Sequence, residues 1–155
     1  MFIFTVKSPL KSKKSLVVLM LSLLVLTALV VCVTVSGIKV KDKTSCEGFG
    51  EYSLSAADEK QRESFLSQFG FEPDEETVST KKIIIPSVFN GVFEEYNELQ
   101  KKQGLDLSKY KGKNAEEYMY RCGDDYVTVI VYDGCVIGGH KCSKDDYNRY
   151  VTFFN

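Results

Sequence analysis

The chain has 155 residues, 44% apolar and 26% charged, which leaves room for one globular domain and argues against wholesale disorder. Its net charge of −1 hides an asymmetry: four of the 20 basic residues and none of the 21 acidic ones lie in the first 37 positions, so the remainder is net −5. A net-acidic domain of mixed sign lacks the electrostatic footprint of a nucleic-acid binder, and no nucleic-acid partner is expected.

Residues 1–15 are a short basic tail carrying Lys7, Lys11, Lys13 and Lys14. Residues 16–35 read LVVLMLSLLVLTALVVCVTV without a charge. Twenty helical residues at about 1.5 Å each span about 30 Å, the thickness of a bilayer core. Residues 16–37 are therefore expected to be a single-pass membrane anchor, or an uncleaved signal. The basic tail stays inside by the positive-inside bias, and the rest of the chain is carried out of the cytoplasm. Val35-Ser36-Gly37 also suits signal cleavage, so a form secreted after cleavage near Gly37 is the alternative.

Residues 38–54, with alternating lysines, Ser45, Gly48 and Gly50 but no sustained period, are expected to form a stalk. Residues 55–155 then form a small α+β domain. Ser55-Ala56-Ala57-Asp58 predicts a capped helix start, with Phe65, Leu66 and Phe69 on the buried stripe and Gly70 as the stop. The acidic stretch 71–76, with Pro73, is a loop, and 77–85 is a strand closed by Pro86. A second helix over 88–103 places Phe89, Val92, Phe93, Tyr96 and either Leu99 or Gln100 inward. Gly91 costs about 1 kcal/mol relative to Ala inside a helix, which leaves the start on either side of it. Gly104 ends this helix.

The remainder reads as β. Residues 116–122 alternate, with Tyr118, Tyr120 and Cys122 on one face, and 126–132 (YVTVIVY) is the strongest strand signal in the chain. Asp133-Gly134 predicts a two-residue hairpin turn into 135–142, where Gly138-Gly139 marks a bulge or a close backbone approach. The tail 147–154 either adds a strand or frays. The expected fold is α+β, with two helices packed on one face of a mainly antiparallel sheet of about three to five strands.

Three stretches carry a resemblance: FLSQFGFEP at 65–73, YNELQKKQGLDLSKYKGK at 96–113 and VYDGCVIGGHKCS at 131–143. Together they resemble a bacterial domain of unknown function, the family numbered 4830, with the middle motif the most specific. The resemblance implies a small secreted or membrane-anchored protein and brings no activity or catalytic residue with it. His140 stands where that pattern leads one to expect an acid, and Phe71 where it leads one to expect Trp.

For chemistry, the cysteines come first. Cys46, Cys122, Cys135 and Cys142 are an even set outside the cytoplasm, which invites disulfides. Cys135 and Cys142 on one strand would lie about 23 Å apart, and Cys122 and Cys142 about two strand spacings apart, so Cys46 is the flexible candidate partner. Cys122, Cys135, His140 and Cys142 have the ligand types for zinc but no short Cys-x-x-Cys knuckle, so a thiol- or metal-dependent site is the alternative function. No catalytic residue, metal or cofactor is expected, because His140 is the sole histidine and no hydrolase, metalloprotease or phosphate-loop motif is present. Tyr118 and Tyr120 either pack beneath the helices or line a binding face for an envelope polymer or partner protein. The leading expectation is a non-catalytic binding or accessory domain at the bacterial cell envelope.

Overall fold

The computed structural model describes residues 40–74 and 79–154, together with Met20 and Ser22. The expected basic tail and anchor otherwise lie outside the described residues, as do the four residues leading into the first strand of the main sheet. No helix among the described residues is long and apolar enough to cross a membrane.

The described part of the expected stalk, residues 40–54, does not behave as one. Strands β1 (Lys43–Cys46) and β2 (Gly50–Ser53) pair antiparallel through a turn that uses positive φ at Gly48 and Gly50. The hairpin is not free-standing: Tyr52 and Leu54 are buried in the core. Short polar strands show almost no period, and burial of alternate residues by neighbouring elements decides their state instead.

Helix α1 (Glu59–Ser67) starts four residues later than Ser55. Its cap is Asp58, whose carboxylate accepts from the Gln61 amide at 2.8 Å, while the Gln61 side chain reaches back to the Ala57 amide at 3.0 Å. The reciprocal pair is thus Asp58 with Gln61. Ser55 instead bridges antiparallel to Cys135, extending a sheet edge. Gly70 at φ +79 terminates the helix as expected.

The main sheet is an antiparallel meander in the order β3-β4-β5-β6-β7, formed by Ser79–Ile84, Asn114–Cys122, Asp125–Tyr132, Cys135–Ser143 and Asp146–Val151. Asp133 and Gly134, both at positive φ, make the tight β5–β6 turn. The predicted bulge is present: Ile130 faces Gly138 and Val131 faces Val136, which leaves Ile137 as the extra residue. The tail adds β7, and beyond it Phe153 turns back into the core against Phe65 and Phe69.

Between β3 and β4 lie helix α2 (Gly91–Lys102) and a 3-10 turn, Leu107–Tyr110. The two helices occupy opposite faces of the sheet rather than one. Directly opposite residues share a face, and alternation along β4 and β5 separates them. Tyr118 with Val129 and Tyr120 with Val127 belong to the core under α1. Glu117 with Ile130, and Thr128 with His140, belong to the face under α2. The near-continuous apolar run 127–131 is buried on both faces, as a two-sided strand requires.

Helix α2 also departs from its apolar period. Asn90 caps it, accepting from the Phe93 amide at 3.1 Å, and Gly91 is its first residue. Asn97 and Gln100 are buried while Val92 is 80% exposed. The inward polar residues are hydrogen-bonded to main chain. Gln100 Oε1 accepts from the Gly139 amide at 2.8 Å, and Asn97 Oδ1 accepts from the Leu107 amide at 2.8 Å. Gln103, just past the helix, donates to the Gly139 carbonyl at 3.0 Å and accepts from the Phe153 amide at 2.9 Å. These side-chain amides give the buried main-chain groups of Leu107, Gly139 and Phe153 their hydrogen-bond partners.

Candidate functional site

The predicted site residues do not form one centre. Tyr120 is buried, and its hydroxyl accepts from Arg62 Nε at 2.8 Å. The Arg62 guanidinium lies 3.9 Å from the Tyr118 ring centroid, and the Tyr118 hydroxyl donates to Glu116 at 2.6 Å. The tyrosine row is therefore covered by α1, and its buried hydroxyl is served by an arginine that helix periodicity alone did not single out.

The proposed metal set is not assembled. Cys122 follows Tyr118 and Tyr120 on the α1 face, whereas His140 lies on the α2 face. His140 Nδ1 is hydrogen-bonded to the Tyr96 hydroxyl at 2.9 Å. Cys135 sits at the start of β6 beside Ser55. Among the described residues, no group of three or more His, Cys, Asp or Glu is placed to hold a metal ion. Sequence proximity in a hairpin misleads here because successive residues on a strand point to opposite faces.

Cys46, Cys122, Cys135 and Cys142 are all free thiols. Burial pushes each thiol pKa up, that of Cys122 to about 11 with Asp74 and Asp125 adding to the effect. Such thiols stay protonated near neutrality and are poor nucleophiles. The geometry thus offers no support for the thiol- or metal-dependent alternative.

What the fold does build is a cleft of about 680 Å³ between the end of β3, helix α2 and β7. Its walls are mainly apolar: Ile83, Ile84, Val92, Phe93, Tyr96 and Leu99, with Tyr150 opposite. Ile84 and Val92 are 67% and 80% exposed, an unusual degree for branched aliphatic residues beside a groove. At its floor, His140 packs against Tyr96 and Tyr150, with ring centroids 5.6 and 4.3 Å away, and the two tyrosine rings also touch each other. Burial pushes the His140 pKa down to about 4, so the ring is neutral at physiological pH. Burial also raises the Tyr96 pKa, with Glu117 and Tyr150 adding to the shift, so its hydroxyl remains protonated. The pair is a fixed, uncharged hydrogen-bonded floor. Glu95, Glu98, Glu117, Lys102 and Arg149 form a mixed-charge rim.

A second cleft, of about 830 Å³, flanks the same end of β3 on the opposite face, with Ala57, Lys82 and Tyr118 in its walls. Ile83 and Ile84 border both clefts. The sequence pointed to Ile83-Ile84-Ile85 only as a strand end. The exposure of Ile84 follows from the position of β3 at the sheet edge, which is not a local property.

Residues 65–140 match the family model described as Domain of unknown function (DUF4830), and this part of the chain is a DUF4830 domain. The match runs from α1 to His140, so it takes in most of the cleft but stops before β7 and Tyr150. No curated protein and no solved structure matches the chain.

Proposed function

We propose that the protein is a non-catalytic binding domain, tethered to the bacterial cell membrane by residues 16–37 and displayed outside the cytoplasm, where it presents its α2–β3 cleft to a protein or another envelope component. The observation that carries the binding half of this reading is the mainly apolar cleft with exposed Ile84 and Val92 on its walls. A neutral His140–Tyr96 floor and protonated thiols, only that of Cys142 fully buried, fit recognition better than group transfer. The tether rests on the uncharged 20-residue apolar run and on the lysine-rich, acid-free tail before it.

The test is topology. A C-terminal epitope on the full chain, in intact cells treated with an impermeant protease, is expected to be removed while a cytoplasmic control survives. Recovery of the tagged chain from the medium would replace the anchor by cleavage near Gly37. Protection of the tag until lysis would overturn the outward display.

A further inference from the structure

We infer that the outer side of β3 accepts an added antiparallel strand from a polypeptide partner whose sequence runs two apolar residues followed by two acidic ones. This deepens the binding-domain reading and rests on it. Strand β3 terminates the sheet, and among the described residues nothing pairs with its outer side. It pairs with β4 over six consecutive residues without a register shift and contains no proline. Edges are commonly closed by shortness, bulges, cover or lysines; among the described residues this one is uncovered and unbulged, and carries only the pair Lys81-Lys82.

Ile85 donates its amide to the Lys113 carbonyl at 2.9 Å and accepts from the Gly112 amide at 2.8 Å, so its main-chain groups turn inward toward β4. Alternation then directs those of Thr80, Lys82 and Ile84 outward, where an incoming strand meets them. Side chains of that strand fall alternately on the two sheet faces. One set enters the cleft beside Phe93 and Tyr96, the other the cleft beside Ala57 and Tyr118.

The charges on the edge choose the partner. On β4, Glu117 and Glu116 stand opposite Lys81 and Lys82, followed by Ala115 and Asn114 opposite Ile83 and Ile84. Lys81 is 65% exposed despite a 3.8 Å pair with Glu117, so it retains surface for a second carboxylate. Opposite charges directly across a ladder are favourable and like charges unfavourable. Read antiparallel, the complement of Ile84-Ile83-Lys82-Lys81 is apolar, apolar, acidic, acidic. A second copy is the poorer occupant: the antiparallel registers that align the outward main-chain groups of two β3 strands put Lys82 of one opposite Lys82 of the other, or Lys81 opposite Lys81.

The experiment uses the full chain in a mild detergent and a fluorescent peptide, STVIEETS, followed by anisotropy. Saturable binding that weakens with added salt is expected, with the charge-reversed peptide STVIKKTS bound at least about tenfold more weakly. The double variant Lys81→Glu/Lys82→Glu should reverse that preference. Lys82→Pro, which deletes an outward amide that an edge can spare, should bind far more weakly than Lys82→Ala at unchanged circular dichroism. Methylating alternate peptide amides should abolish binding to the unaltered chain.

Failure of both peptides to saturate, equal binding of the two, or tolerance of both Lys82→Pro and peptide methylation would overturn strand addition. A dimer that Lys82→Pro converts to monomer would overturn it in favour of self-pairing. Binding lost in Val92→Glu but kept in Lys82→Pro would sink strand addition while leaving the cleft reading intact. The topology assay reports on the tether independently of all of these.

Discussion

The buried amides of Gln100 and Gln103 make a quantitative prediction. Both side chains are fully buried, and together they serve both main-chain groups of Gly139 and the amide of Phe153. Gln103→Leu keeps approximate volume but orphans the Gly139 carbonyl and the Phe153 amide. Each buried orphan costs about 1–3 kcal/mol, so the loss is about 4 kcal/mol before a small gain from the apolar side chain. Gln100→Leu orphans the Gly139 amide and removes a 3.2 Å acceptor of Gln103 Nε2, which keeps its bond to the Gly139 carbonyl; because Gln100 Nε2 has no partner, removing that nitrogen adds nothing, and about 2 kcal/mol is expected. The two losses should not add, since both act on Gly139. The assay is urea unfolding of the full chain in detergent, followed by far-ultraviolet circular dichroism. A Gln103→Leu cost below about 1 kcal/mol, or a larger cost for Gln100→Leu than for Gln103→Leu, would refute the reasoning.

Three other outcomes follow from the same coordinates. His140 has a folded-state pKa near 4 against 6.5 when free, so the unfolded chain binds the extra proton first. Its contribution is therefore complete above about pH 6.5 and falls away toward pH 4, by about 3 kcal/mol in total; His140→Gln should flatten that limb of a stability-against-pH curve. At Gly139 an added Cβ would lie 2.3 Å from the Thr128 carbonyl oxygen and 2.5 Å from Phe153 Cζ. Gly139→Ala should accordingly cost about 3 kcal/mol or more in chemical denaturation, whereas Gly91→Ala, with nothing within 4 Å, should be neutral or stabilising. Arg62→Met removes the donor to the buried Tyr120 hydroxyl while keeping most of the packing, and a loss of about 1–3 kcal/mol is expected in thermal melts.

The parts of this fold legible in the sequence are those set by local chemistry. Gly70 and Gly104 stop their helices, Asp133-Gly134 makes its turn, and Gly138-Gly139 marks its bulge, because each needs backbone freedom or close approach that a short window reveals. The hairpin over 43–53 was not legible, since its strands are polar and its order comes from Tyr52 and Leu54 meeting a distant core. The sidedness of the helices was hidden for a related reason. YVTVIVY is apolar on both faces, a pattern consistent with one covering layer or two. The metal set misled because Cys122 and His140, close in the meander, belong to opposite faces, and no spacing rule senses that.

The cleft itself follows from the inversion of polarity along α2. Its second half is held by Gln100 to Gly139 of β6 and by Asn97 to Leu107 of the 3-10 turn, with Gln103 beyond its end bonded to Gly139 and to Phe153 past β7. Directional bonds of this kind fix a helix more tightly in position than sliding apolar contacts do. Among the described residues no comparable bond to the sheet reaches the first turn, where Val92 is exposed and Phe93 leans on Phe89 and Tyr96 instead. A helix pinned at one end and unfilled at the other leaves space between its free end and the nearest strand, and that strand is the edge β3. The polar residues that break the expected apolar stripe therefore create the groove in which Ile83, Ile84 and Val92 are presented.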